Sequence, residues 1–252
     1  MSESPPTERV ILVTGASSGI GAAVCRRLAA PGARIVAHAR SGLDETVAHL
    51  RDAGAEAEAC LADLAEPGAA AQLVGFAAET FGGLDQIVSN AGFADPTRFG
   101  EVSRGELDRS LATMTGAFFD LATAALPHLR KSRRGRVVAI SSFVAHAFPA
   151  DYLFPVTAAA KGGLEALART LARQLAADGV TVNCVAPGFT RKDKQGHSSL
   201  GGDAWQRAAE LTPMGRIADP DDIAALVAFL LGPEARHITG QVIHVDGGLG
   251  LG

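Results

Sequence analysis

The chain has 252 residues, 47% of them hydrophobic and 20% charged, and its 23 basic side chains against 27 acidic ones give a net charge of −4. That length suits one large α/β unit with a substantial core, and the mildly acidic balance offers no surface for nucleic acid or an anionic membrane. No apolar run reaches the length of a membrane span. The start, MSESPPTERV, lacks a basic-then-apolar signal pattern, so residues 1–8 read as a flexible tail. Cys25, Cys60 and Cys184 stand alone and far apart, as reduced core cysteines of a cytoplasmic protein do.

In chain order, strand-like runs fall at Val10–Val13, Arg34–Ala37, Glu56–Leu61, Gln86–Ser89, Arg136–Ser141, Thr181–Val185 and Gln241–Val245. Most are continuous valine and isoleucine runs, the pattern of strands covered on both faces. Helical stretches separate them, at Ile20–Ala30, Leu43–Ala53, Pro67–Phe81, Arg104–Lys131, Pro155–Ala177 and Pro220–Leu231. Leu164, Leu167, Leu171 and Leu175 give the fifth helix one apolar stripe. Such alternation predicts a doubly wound, seven-stranded parallel sheet with helices on both faces, in a single domain spanning 1–252. The polar stretch from Gly188 to Gly202 is too long for an ordinary connection and predicts a substrate lid over about 188–212.

The first strand runs directly into TGASSGIG, Thr14 to Gly21. Gly15, Gly19 and Gly21 allow a tight turn whose N–H groups approach a phosphate, and the helix that follows aims its positive end at the same anion. The spacing differs from GxGxxG, but the strand–turn–helix context is the one phosphate binding needs.

With this turn, ADL at 62–64, SNAG at 89–92, AISS at 139–142, Lys161, VAPG at 185–188 and ITGQVIHVDGG at 238–248, the chain resembles the short-chain dehydrogenase/reductase family over essentially its whole length. The resemblance implies a Rossmann-type sheet, a nicotinamide dinucleotide and a homotetramer. It further implies that Ser17, Ser18 and Ile20 of the turn meet the cofactor and that Asp63 and Leu64 border the adenine. Asn90, Ala91 and Gly92 would line the cleft, and Pro187, Gly188 and Thr190 would edge the nicotinamide. After the second strand an acidic residue would bind ribose hydroxyls and repel a 2′-phosphate; Ala39 and Arg40 stand there instead. A guanidinium fork pairs with phosphate, so NADP(H) is favoured over NAD(H).

The same resemblance implies a serine, a tyrosine and a lysine around the reacting carbonyl, with an asparagine on the preceding long helix. Ser142 and Lys161 match. Four residues before Lys161 stands Thr157, and the asparagine position falls on Met114, or on Thr113 in a register one residue earlier. Phenols have pKa values near 10 and are lowered further by a lysine one helical turn away, whereas an aliphatic hydroxyl is far too weak an acid to replace one. Thr157 can orient a carbonyl or a water. Met114 continues the stripe Leu107, Leu111, Phe118, Leu121 and reads as core. Tyr152, the chain's single tyrosine, is a candidate substitute donor on a Ser142–Thr157 stretch longer than the family's, and His146 is a weaker one. In the lid, Arg191, Lys192 and Lys194 read as solvated cations or as attraction for an anionic substrate. No histidines have metal-ligand spacing. The expectation is an NADP(H)-dependent oxidoreductase acting on a small carbonyl or alcohol with an altered proton-transfer set; the alternative is a dinucleotide-binding homologue with a sensor or assembly role.

Overall fold

The strands are β1 (Arg9–Thr14), β2 (Ala33–Ala39), β3 (Glu56–Leu61), β4 (Gln86–Ser89), β5 (Arg136–Ile140), β6 (Thr181–Pro187) and β7 (Val242–Val245). They form one all-parallel sheet in the order β3-β2-β1-β4-β5-β6-β7. The structure, a computed structural model, describes residues 8–94, 96–149, 153–191 and 202–251. The helices are α1 (Gly19–Leu28), α2 (Asp44–Asp52), α3 (Ala69–Phe81), α4 (Arg104–Ser110), α5 (Ala117–Lys131), α6 (Pro155–Leu175), α7 (Gly202–Leu211) and α8 (Pro220–Leu231).

The continuous apolar runs feed two separate cores because side chains alternate across the pleat. Leu12, Val36, Ile87, Val137 and Val182 pack on one face with Leu73, Phe118, Leu121 and Leu164. Ile11, Val13, Ile35, Val88, Val138 and Val185 pack on the other with Val24, Leu28, Val47, Ile223 and Val227. The first layer comes from α3, α5 and α6, the second from α1, α2 and α8. Chain direction across the sheet reverses between β1 and β4, which opens a crevice at the strands' carboxyl ends. No helix among the described residues is long and apolar enough to cross a membrane.

Three local features depart from expectation. The stretch expected as one helix over Arg104–Lys131 contains a π-helical turn, Leu111–Gly116, between α4 and α5. Thr115 Oγ1 in that turn donates to Ala160 O at 2.7 Å, and Gly163 leaves room for the Thr115 methyl, so the turn is locked onto α6. Strand β5 stops at Ile140 instead of Ser141, whose side chain is drawn towards α6. Helix α7 lies at the far end of the stretch expected as a lid; its buried Ala208 joins Phe143, Phe154, Phe189 and Leu249 in a small aromatic cluster above the sheet.

Candidate functional site

The turn after β1 is fastened to the turn after β4. Thr14 Oγ1 accepts the N–H groups of Asn90 and Ala91 at 2.9 and 3.0 Å. Asn90 Nδ2 in return donates to Thr14 O and Gly15 O, both at 3.0 Å. Gly15 sits at φ 67°, and a Cβ there would meet Asn90 Nδ2 at 2.8 Å. A Cβ on Gly21 would lie 2.0 Å from Gly15 O, so only glycine lets α1 approach its own turn. Gly19, at φ 54°, has nothing within 4 Å of such a Cβ, while Ser17 and Ser18 are exposed and Ile20 is half-buried. The first turn of α1 holds no acidic residue, and Ser18 makes no side-chain cap. This opening suits an anionic group at a helix N-terminus.

Along the crevice, Arg40 stands exposed just past β2, beside buried Ala39. Asp63 is exposed and accepts Ala65 N–H at 3.0 Å, which shapes the turn after β3; Leu64 beside it is buried in the first core. His38 supports the same corner through Nε2, 3.1 Å from Ala62 O, and burial pushes its pKa down.

At the other end of the crevice, Lys161 is buried and donates from Nζ to Ile140 O at 2.6 Å. Burial pushes its pKa down to about 8, against upward pulls from Cys184 and Glu165. A Cβ on Gly92 would lie 3.1 Å from Met114 Sδ and 3.4 Å from Lys161 Nζ, so Gly92 separates the thioether from the ammonium. Met114 is fully buried, as expected, but it faces this corner as well as the interior; Thr113 is half-buried in the same π turn. Thr157 is 1% exposed, and its hydroxyl has no partner among the described residues. Ser142, half-buried, accepts the Val144 N–H at 3.4 Å and caps a short 3-10 turn, Phe143–Ala145. Pro187 ends β6, and Gly188 donates to Val245 O at 3.0 Å; a Cβ on Gly188 would strike Asp246 Cα at 2.8 Å. Thr190 Oγ1 donates to Gly188 O, and Arg191 pairs with Asp219 at 3.1 Å, which engages its charge within the protein. Tyr152, Lys192 and Lys194 lie outside the described residues.

Sequence reasoning overlooked the neighbouring carboxylate. Glu165 is 3% exposed; it accepts from Ser141 Oγ at 2.5 Å, and His146 Nε2 lies 2.8 Å from the same oxygen. The His146 ring packs on His244 at 4.7 Å between centroids, and His244 Nδ1 lies 3.4 Å from Asp246 Oδ2. His146 is thus turned towards Glu165 and β7. Burial pushes the Cys25 and Cys184 thiols up to about 12, and that of half-buried Cys60 up as well, which fits three unreactive cysteines.

Comparison with known proteins extends these observations. A family model described as enoyl-(acyl carrier protein) reductase matches residues 15–250. The short-chain reductase protein NovJ of Streptomyces niveus is 37% identical over 248 residues, 96% of this chain and 94% of that protein. The 3-oxoacyl-[acyl-carrier-protein] reductase FabG of Vibrio cholerae is 36% identical over 96% of this chain and 97% of its own length. A solved short-chain dehydrogenase/reductase from Serratia marcescens superposes with a TM-score of 0.89 at 33% identity, covering 97% of this chain and 99% of that one. Likeness on this scale, in sequence and in three dimensions at once, leaves one conclusion: the chain belongs to the short-chain dehydrogenase/reductase family.

Proposed function

We propose that the protein is an NADP(H)-dependent oxidoreductase that reduces a small carbonyl compound or oxidises the corresponding alcohol, with a proton-transfer set unlike its family's. The observation that carries this reading is the asymmetry of the crevice. Its dinucleotide side keeps the residues the family resemblance calls for, from the Thr14–Asn90 clamp through Gly19 to Lys161, while Thr157 and Met114 depart from it on the proton-handling side. Ser17, Ser18, Gly19 and Ile20 would hold the pyrophosphate, Asp63 and Leu64 the adenine end, and Lys161 the nicotinamide ribose. Arg40, exposed at the end of β2, would pair with a 2′-phosphate. The bound cofactor supplies or accepts a hydride; Ser142 and Thr157 orient the substrate oxygen. That relatives are named reductases supports the reductive direction.

A second reading, a dinucleotide-binding sensor or assembly partner without turnover, draws on the near-complete burial of Thr157. The assembly we propose is a homotetramer, since Phe119 on α5 and Phe229 on α8 stay exposed at 55% and 45% in the single chain.

Fluorescence titration tests the cofactor assignment. NADPH is expected to bind more tightly than NADH, and Arg40→Asp to weaken NADPH roughly tenfold or more while sparing NADH. Equal NADPH affinity in the variant would refute the role of Arg40. A carbonyl panel run with NADPH then separates reductase from sensor.

A further inference from the structure

Glu165 lies one helical turn beyond Lys161 on α6, sealed from solvent. Three donors converge on its carboxylate: Ser141 Oγ at 2.5 Å and His146 Nε2 at 2.8 Å on one oxygen, Arg169 Nη2 at 3.4 Å on the other. Arg169 is half-exposed and makes a long contact; the buried ammonium of Lys161 is the other cation at this corner.

Among the described residues, few groups face that ammonium. Ile140 O comes from the end of β5, Met114 from the π turn across Gly92, Cys184 from β6 and Glu165 from α6. The Cys184 thiol, pushed up to about 12 by burial, is neutral at working pH. Among these groups Glu165 brings the negative charge. Around Glu165 itself stand His146, next to His244 and through it Asp246, and Arg169.

We propose that Lys161 is itself the proton donor of carbonyl reduction, and that Glu165, fixed by Ser141, His146 and Arg169, is the positioning residue that keeps its ammonium charged. The proposal rests on the reductase reading. Threonine at 157 is shorter than a phenol by a whole ring, so α6 places no stronger acid between the ammonium and the crevice. When hydride from the reduced nicotinamide forms the new C–H bond, the C=O π pair moves to oxygen. That oxygen takes a proton from Nζ, leaving the alcohol and a neutral amine that regains its proton from water. A lysine with a pKa near 8 gives up its proton near neutral pH far more readily than an exposed one.

The chain contains four lysines, Lys131, Lys161, Lys192 and Lys194. Carbon-13 lysine NMR therefore follows each ε-carbon through a pH titration of the cofactor-free protein, with Lys161 assigned by its loss in Lys161→Met. The expected midpoint is about 8 in the wild type and lower in Glu165→Gln, which removes an upward pull. Turnover with NADPH is expected to fall above the same midpoint, and that limb to move with it in the variant. An ordinary wild-type midpoint of 10.5, or an unmoved midpoint in Glu165→Gln, overturns the role of Glu165. A turnover limb that fails to coincide with the NMR midpoint overturns the donor role; this comparison needs only the wild type and stands even if Glu165→Gln does not fold. Absent NADPH binding, or NADPH binding without turnover on any carbonyl, overturns the reductase reading itself, whereas turnover whose pH limb departs from the NMR midpoint overturns the donor role alone.

Discussion

A lysine sealed in an interior is costly while it stays charged, and the cost is released when it becomes neutral. For Lys161 the folded value is about 8 against an ordinary 10.5. Below pH 8 the side chain is charged in both folded and unfolded chains, and the burial cost is fully present. Between these two values the unfolded chain binds more protons, so stability gains with rising pH. Relative to Lys161→Met, the wild type is therefore expected to gain about 3 kcal/mol between pH 7 and 10.5, measured by denaturant unfolding at each pH. A constant difference would contradict the burial of a charged Lys161. The resemblance to the family's motifs is what singled out Lys161, Thr157 and Ser142 in the sequence, and the structure places Lys161 and Thr157 buried on α6 and Ser142 just past β5. Glu165 was not legible there: a glutamate four residues after a lysine and four before an arginine also spells an exposed helical ion-pair ladder. Only the packing of α6 against Ser141 and His146 distinguishes the two.

At the scale of elements, the β1–α1 junction is the least forgiving part of the crevice. In Gly21→Ala the new methyl would lie 2.0 Å from Gly15 O, so α1 must shift away from the turn. The expected result is a loss of about 1–3 kcal/mol by denaturant melt, with severe weakening of NADPH binding. Native-like stability and affinity would show that the turn has slack the geometry denies. This junction and the strands were readable because two-sided burial imposes valine and isoleucine runs, and because only glycine can occupy such a turn. The π turn was not readable, since winding Leu111–Gly116 more loosely changes no composition. Helix α7 escaped notice because it begins at glycine and, among its described side chains, carries a single buried position, Ala208.

Across the whole molecule, the proposed tetramer gives a direct check. Sedimentation is expected to show about four times the 25.8 kDa chain mass, and Phe119→Glu to yield smaller species because a charge cannot be buried unpaired at an apolar contact. A wild type that sediments as a single chain would refute the assembly. Within one chain, the Thr14–Asn90 clamp joins the first and fourth strands through backbone acceptors and one hydroxyl, all of it complete by Ala91. The residues on the proposed proton-handling side, Met114, Ser142, Thr157, Lys161 and Glu165, all come later in the sequence. In the proposed reading the pyrophosphate end of the crevice is thus fixed early in the chain, while Lys161 and Gly188, later in it, serve the coenzyme and the chemistry together. A lineage can exchange the acid, its supports and the substrate wall around those positions while the early turn still meets the same phosphates, which is how one scaffold comes to host many reactions.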